Sequence, residues 1–146
     1  MAFNILVADD SETMRAVVKK VVTMAGVPVG QFLEASNGRE ALQLLEESWV
    51  DVILSDINMP EMSGMEFLRA LKGSPELRNI PVILITTESS QARMAEAQRL
   101  GVAGYVRKPF QPETIKKLLD EVLAAAYDRE PSAVPLAGGD DDGMDF

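Results

Sequence analysis

Neither cysteine nor histidine occurs among the 146 residues. The first absence excludes disulfides and thiolate metal sites. The second removes imidazole general bases, serine–histidine pairs and histidine-ligated zinc. Any metal must therefore sit on oxygen ligands, which favours magnesium, calcium or manganese. Long hydrophobic runs are also missing: none approaches the roughly 20 residues that a membrane-spanning helix needs. The chain does not open on a basic stretch followed by an apolar one, so no secretory signal is expected and a cytoplasmic location is the default. Positive charge is in deficit too. A formal net charge of −9 argues against a phosphate-backbone partner, and neither nucleic acid nor a membrane is expected to bind.

What is present fits one globular domain with a sizeable core. Apolar runs alternate with helical patterns through residue 127. Residues 3–8 read as a strand. Ser11 can cap a helix in which Met14, Val17, Val18 and Val21 follow helical spacing. Residues 31–35 form a weaker strand pattern, followed by Asn37 with Glu40 three residues later, as in a capping box. Residues 51–55 and 81–86 are unbroken apolar runs, as expected of strands buried on both faces. Between them a shorter helix starts near Ser63-Gly64 and ends near Gly73. A further helix over 90–100 is closed by Gly101, and residues 104–107 are a short strand. Pro112 suits the first turn of a last helix with Ile115, Leu118, Leu119, Val122 and Leu123 on one face.

Five strand–helix pairs imply an α/β fold, a doubly wound parallel sheet covered on both faces. In such sheets ligands bind outside the carboxyl ends of the strands, at the switch point. Four chemically useful segments fall there. The first strand ends in Asp9-Asp10, the third in Asp56, the fourth in Thr86-Thr87, and the fifth runs Tyr105-Val106-Arg107-Lys108-Pro109. Taken singly, each has an ordinary reading. An aspartate at a strand end is most often a turn or cap residue, Asp9-Asp10 could favour a helix N-terminus, and Lys108 could be a solvated charge. Met59, Met62 and Met65 read as packing residues, and so does Trp49. The joint occurrence at four strand ends points elsewhere. Three neighbouring carboxylates repel one another and call for a magnesium ion and an ammonium. A carboxylate can then accept a phosphoryl group, whose charge the cation, Lys108 and a threonine hydroxyl would meet.

These segments, Val7-Ala8-Asp9-Asp10-Ser11, Leu54-Ser55-Asp56-Ile57-Asn58-Met59-Pro60, Ile85-Thr86-Thr87-Glu88 and Gly104-Tyr105-Val106-Arg107-Lys108-Pro109-Phe110, resemble the receiver domains of two-component response regulators. The resemblance spans roughly residues 3–127 and is nearest to the stand-alone chemotaxis (CheY-like) type. It implies a flavodoxin-like strand order 2-1-3-4-5. It also implies that Asp56 is the phosphoacceptor, taking its phosphoryl group from a sensor histidine kinase. Asp10, Asp56 and the backbone carbonyl of Asn58 would bind Mg2+ (or Mn2+) directly, and Asp9 through water. Lys108 and Thr86 would contact the phosphoryl group, with the peptide before Pro109 often cis. Thr86 and Tyr105 would form the switch that alters the surface of the fourth helix, fifth strand and fifth helix. Asn58 and Glu88 would tune dephosphorylation.

By this resemblance the chain is a signal carrier and not an enzyme, beyond catalysing its own phosphorylation and dephosphorylation. The nineteen residues after 127 are too few for an output domain. They hold six acids and one base and read as a flexible acidic tail over 128–146, solubilising or serving as a docking motif. The expected partners are the kinase and a flagellar motor switch protein or phosphatase, with the protein a monomer or a weak dimer on phosphorylation. A phosphate sink or phosphorelay intermediate is the alternative. A magnesium-dependent aspartyl phosphohydrolase is more remote, since that class usually carries a second acid two residues after the nucleophile, where Asn58 stands. A flavin protein is disfavoured because no Ser/Thr-rich phosphate loop follows the first strand.

Overall fold

A computed structural model describes residues 2–87 and 90–127. The chain alternates β1 (Phe3–Ala8), α1 (Glu12–Met24), β2 (Val29–Ala35), α2 (Gly38–Glu47), β3 (Val52–Ser55), α3 (Gly64–Lys72), β4 (Val82–Thr86), α4 (Gln91–Arg99), β5 (Gly104–Arg107) and α5 (Pro112–Tyr127). The five strands form one parallel sheet in the order β2-β1-β3-β4-β5, as the resemblance implied. The order reverses between β1 and β3, which places the switch point of the sheet beside their carboxyl ends.

Alternation along the strands sorts the apolar residues into two cores. Leu6 and Ala8 face one side, with Ile53, Leu84, Phe67, Leu68 and Leu71. Ile5 and Val7 face the other, with Leu54, Ile83, Val18, Ile115 and Leu119. Every residue of β3 and β4 is buried. Unbroken apolar runs are thus what this sheet requires, because helices cover both of its faces.

Local signals end most helices where the sequence places them. Ser11 accepts a hydrogen bond from Met14 N–H. Ser63 and Glu66 form a complete capping box at the start of α3, two orphan amides satisfied reciprocally. The box expected at Asn37 is only half present. Asn37 accepts from Glu40 N–H, but Glu40 turns back to the N–H and hydroxyl of Ser36, and those bonds hold its carboxyl below the ordinary value. The second strand begins at Val29, two residues earlier than its pattern suggests, and its register shifts between Phe3 and Asn4. Gly30 beside this irregularity hides the strand from propensity. Gly101, at φ +87, follows the C-cap of α4, in the left-handed region where glycine carries no steric cost.

Candidate functional site

Register decides which side chains meet. Ala8 pairs with Ser55, so Asp9 and Asp56 leave the sheet side by side. Thr86 pairs with Arg107, which sets Lys108 beyond the end of β4. Two backbone bonds carry the pattern past the strands: Asp56 N–H donates to the Ala8 carbonyl, and Lys108 N–H donates to the Thr86 carbonyl. The Lys108–Pro109 peptide is cis.

Carboxylate oxygens of Asp9, Asp10 and Asp56 lie within 4.8 Å of one another. Lys108 Nζ bridges two of them, 3.0 Å from Asp9 Oδ2 and 3.3 Å from Asp56 Oδ2. These three side chains are nearly shielded from water, at 14%, 6% and 12% exposure, whereas Asp10 is exposed. Removing the ammonium would leave two poorly solvated carboxylates facing each other, a costly arrangement. The remaining acceptors are partly engaged. Asp9 Oδ1 takes the N–H of Ser11 at 2.9 Å. Asp56 Oδ1 takes that of Ile57 at 2.7 Å and, more weakly, that of Asn58 at 3.4 Å.

The donor set suits a hard cation. Three carboxylates supply oxygen ligands and negative charge, and the exposed Asp10 leaves a side open for water, which magnesium retains when it binds protein. The sequence-expected residues divide accordingly. Asp9, Asp10, Asp56 and Lys108 converge. Asn58 lies exposed on the same loop as Asp56. Thr86 is fully buried at the end of β4. Tyr105, opposite Leu84 on β5, is 43% exposed. Glu88 and the segment 128–146 lie outside the described residues.

Two supporting residues escape sequence reasoning. Gly64 N–H donates to the Ile57 carbonyl at 2.7 Å. A Cβ on Gly64 would lie 2.1 Å from the carbonyl oxygen of Asp56 and 2.8 Å from Ile57 Cα. The start of α3 is thereby pressed against the backbone of the acid loop, an approach only glycine permits. Arg15 Nη1 donates to the Asp9 carbonyl at 2.7 Å, while its Nε pairs with Glu34 at 2.9 Å. Hydrogen bonds from Lys19 and Arg15 hold the Glu34 carboxyl below its ordinary value. Ser63-Gly64 was legible only as a helix start, and no local signal connects Arg15 to Glu34 across nineteen residues.

Comparison with known proteins agrees with this geometry. The sequence matches the response regulator receiver domain family over residues 5–120. It is 39% identical over 121 residues to the chemotaxis protein CheY homolog of Campylobacter jejuni, covering 82% of this chain and 92% of that protein. Chemotaxis protein CheY1 of Helicobacter pylori is 38% identical over 121 residues, covering 82% and 96%. Among solved structures, the chemotaxis response regulator CheY4 of Vibrio cholerae superposes with a TM-score of 0.74 at 36% identity, over 84% of this chain and all 100% of the other. The signal receiver domain of a signal transduction histidine kinase from Syntrophus aciditrophicus gives 0.77 at 33% identity, over 94% and 100%.

Proposed function

This chain belongs to the response regulator receiver domain family, and from that premise we propose that it acts as a single-domain response regulator, phosphorylated on Asp56 and switching a target surface in chemotaxis. Residues 1–127 are the receiver domain in this reading, and 128–146 an acidic tail. The observation that carries it is the meeting of Asp9, Asp10 and Asp56 within 4.8 Å, with Lys108 on two of the three.

In the reaction, an Asp56 carboxylate oxygen forms a bond to the phosphorus of a phosphohistidine. The phosphorus–nitrogen bond breaks, and its electron pair stays on the donor imidazole, which takes up a proton. Lys108 loses part of its bond to Asp56 and turns its ammonium to the incoming phosphoryl oxygens. Asp10, Asp56 and the Asn58 carbonyl would hold magnesium directly and Asp9 would hold it through water; when bound, the cation neutralises charge on the transferring group. Thr86 then moves its hydroxyl toward the phosphoryl group, and Tyr105 follows into the space behind it. Chemistry at Asp56 thus biases two packings of the surface formed by α4, β5 and α5. Asn58 and Glu88 set how fast the phosphoryl group is lost.

Likeness to chemotaxis proteins supports a flagellar motor switch protein or a phosphatase as the partner and a cytoplasmic location. Among the described residues no helix is long and apolar enough to cross a membrane. The second reading, a phosphorelay intermediate or phosphate sink, draws on the likeness to a receiver domain of a histidine kinase. Beryllofluoride with magnesium tests the switch itself. Amide resonances around Thr86 and Tyr105 should shift together, and an unperturbed β4–α4 and β5 region would refute it. Affinity capture with and without beryllofluoride separates the two readings, since a sink gains no partner on activation.

Two variants sharpen the roles. Asp10→Ala should bind magnesium roughly tenfold more weakly or worse, a loss of about 1.4 kcal/mol, in a calorimetric titration. Unchanged affinity would remove Asp10 from the metal site. Lys108→Arg should fold normally but show a much reduced beryllofluoride response, because a planar guanidinium cannot take the place of a compact ammonium between two carboxylates. A wild-type response would show that any cation suffices there.

A further inference from the structure

The sequence reads Trp49 as a packing residue, yet it is 71% exposed, the most exposed large hydrophobic side chain among the described residues. It is nevertheless held in place. Its indole N–H donates to Asp51 Oδ1 at 2.9 Å. Asn4 ties the same pair from β1, donating its amide side chain to the Trp49 carbonyl at 3.0 Å and its backbone N–H to Asp51 Oδ2 at 2.8 Å. The Tyr127 hydroxyl donates to the Asp51 carbonyl at 2.7 Å, and its ring leans on Phe3 with centroids 6.2 Å apart. An aromatic surface fixed in this way loses little entropy when a partner covers it.

Trp49 and Tyr127 border a groove of about 700 Å³ whose apolar wall includes Leu77 and Ile80 and whose charged residues, among those described, are Glu46 and Glu76. Among the described residues no lysine or arginine lines it. The indole face, the apolar wall and the acidic rim together favour a cation with an apolar neighbour. The chain's own residues 128–146 carry six acids and one base, the wrong sign for this rim. A second copy docked by two-fold symmetry would set the same acids against one another.

We infer that this groove docks a segment of a partner protein in which an arginine or lysine stands beside a leucine-sized side chain. The cation lies over Trp49 and meets Glu46 and Glu76, and the apolar side chain enters between Leu77 and Ile80. Trp49 and Asp51 precede β3, whereas Asp56 follows it. The groove is therefore at the opposite end of the sheet from the acid cluster, roughly 13 Å away along a four-residue strand. Docking leaves the Asp56 edge open, so it is independent of phosphorylation and of the role proposed for Asp56.

The test is a calorimetric titration of the full chain with a blocked Leu-Arg-Leu-Arg-Leu-Arg peptide, in parallel with Trp49 fluorescence, the only tryptophan signal in the protein. Saturable binding with a change in Trp49 emission is expected, equal with and without beryllofluoride. Trp49→Phe, which keeps a ring at the site, should bind about tenfold more weakly or worse, as should Glu46→Gln combined with Glu76→Gln. Removing two charges elsewhere, Glu12→Gln with Glu113→Gln, should leave affinity unchanged. Equal loss in that control would reduce the binding to net charge, and full affinity in Trp49→Phe would remove the aromatic anchor; either overturns the proposal. So would binding that emerges only after deletion of residues 128–146, which would assign the groove to the chain's own end. Absence of binding in the intact chain overturns it as well.

Discussion

Asp56→Asn is expected to abolish covalent phosphorylation by acetyl phosphate in magnesium, while the fold persists. Asparagine keeps an oxygen that can accept the Ile57 N–H now bound at 2.7 Å, and Lys108 keeps its 3.0 Å bond to Asp9. What disappears is the anionic nucleophile, and an uncharged amide does not replace it. Intact-mass measurement should show the gain of one phosphoryl group on the wild type and none on the variant, with closely similar thermal unfolding. Of the three acids, Asp56 combines the required features. Asp9 is 4% exposed, with one oxygen on the Ser11 amide and the other on Lys108. Asp10 is exposed, and no ion pair to Lys108 holds it. Asp56 is the more open of the two acids on Lys108, its side chain 12% exposed against 6% for Asp9, and its bond to the ammonium is the longer, 3.3 Å against 3.0 Å. A variant labelled as strongly as the wild type would require another acceptor.

The second large effect should come from a residue with no functional group. Gly64→Ala would bring a methyl carbon to 2.1 Å from the Asp56 carbonyl oxygen, a backbone atom that cannot rotate away. The loop or the first turn of α3 must shift, at a cost of about 3 kcal/mol, the upper part of the range for overpacking. For a domain of this size that corresponds to a fall in Tm of roughly 10 °C. Because the displaced strand end bears Asp56, the phosphorylation rate should fall too, by on the order of 100-fold for a misplacement of about 1 Å. Gly73→Ala is the control. Gly73 caps the same helix at φ −81, and its added Cβ would meet nothing closer than 3.4 Å, so both measurements should stay near wild type. A Gly64→Ala protein as stable and as reactive as Gly73→Ala would show that the close approach does not position the site.

These two residues also mark what a linear reading can and cannot see. Asp56 stands out because a buried strand announces itself as an unbroken apolar run, and a carboxylate at its end is conspicuous. The same holds for Asp9-Asp10 after β1 and for Lys108 after β5. Their meeting depends on strand order, which came from the resemblance and not from periodicity. Gly64 looked like any residue at a helix start, since its importance lies in a contact with the backbone of a different segment. Arg15 and Glu34 belong to different elements, and a charge in a helix pattern reads as solvated until the neighbouring strand is in place. Trp49 shows the opposite failure. A lone tryptophan reads as a packing residue, but here its indole N–H is held by Asp51 at the end of the sheet and the ring remains outside. Glu40 bonded to Ser36 instead of completing its expected box, a competition between two nearby amides that spacing cannot resolve. Short-range signals thus placed the elements, while the supports of the site are long-range contacts.

The most direct measurement of the central claim is the location of the phosphoryl group. The full chain would be incubated with acetyl phosphate, with and without magnesium, and then reduced with borohydride, which converts an aspartyl phosphate to homoserine. Peptide mass mapping then reads the modified position. Conversion is expected at Asp56 alone, and only when magnesium is present. Conversion at Asp9 or Asp10, conversion without the metal, or no conversion at all would contradict the claim.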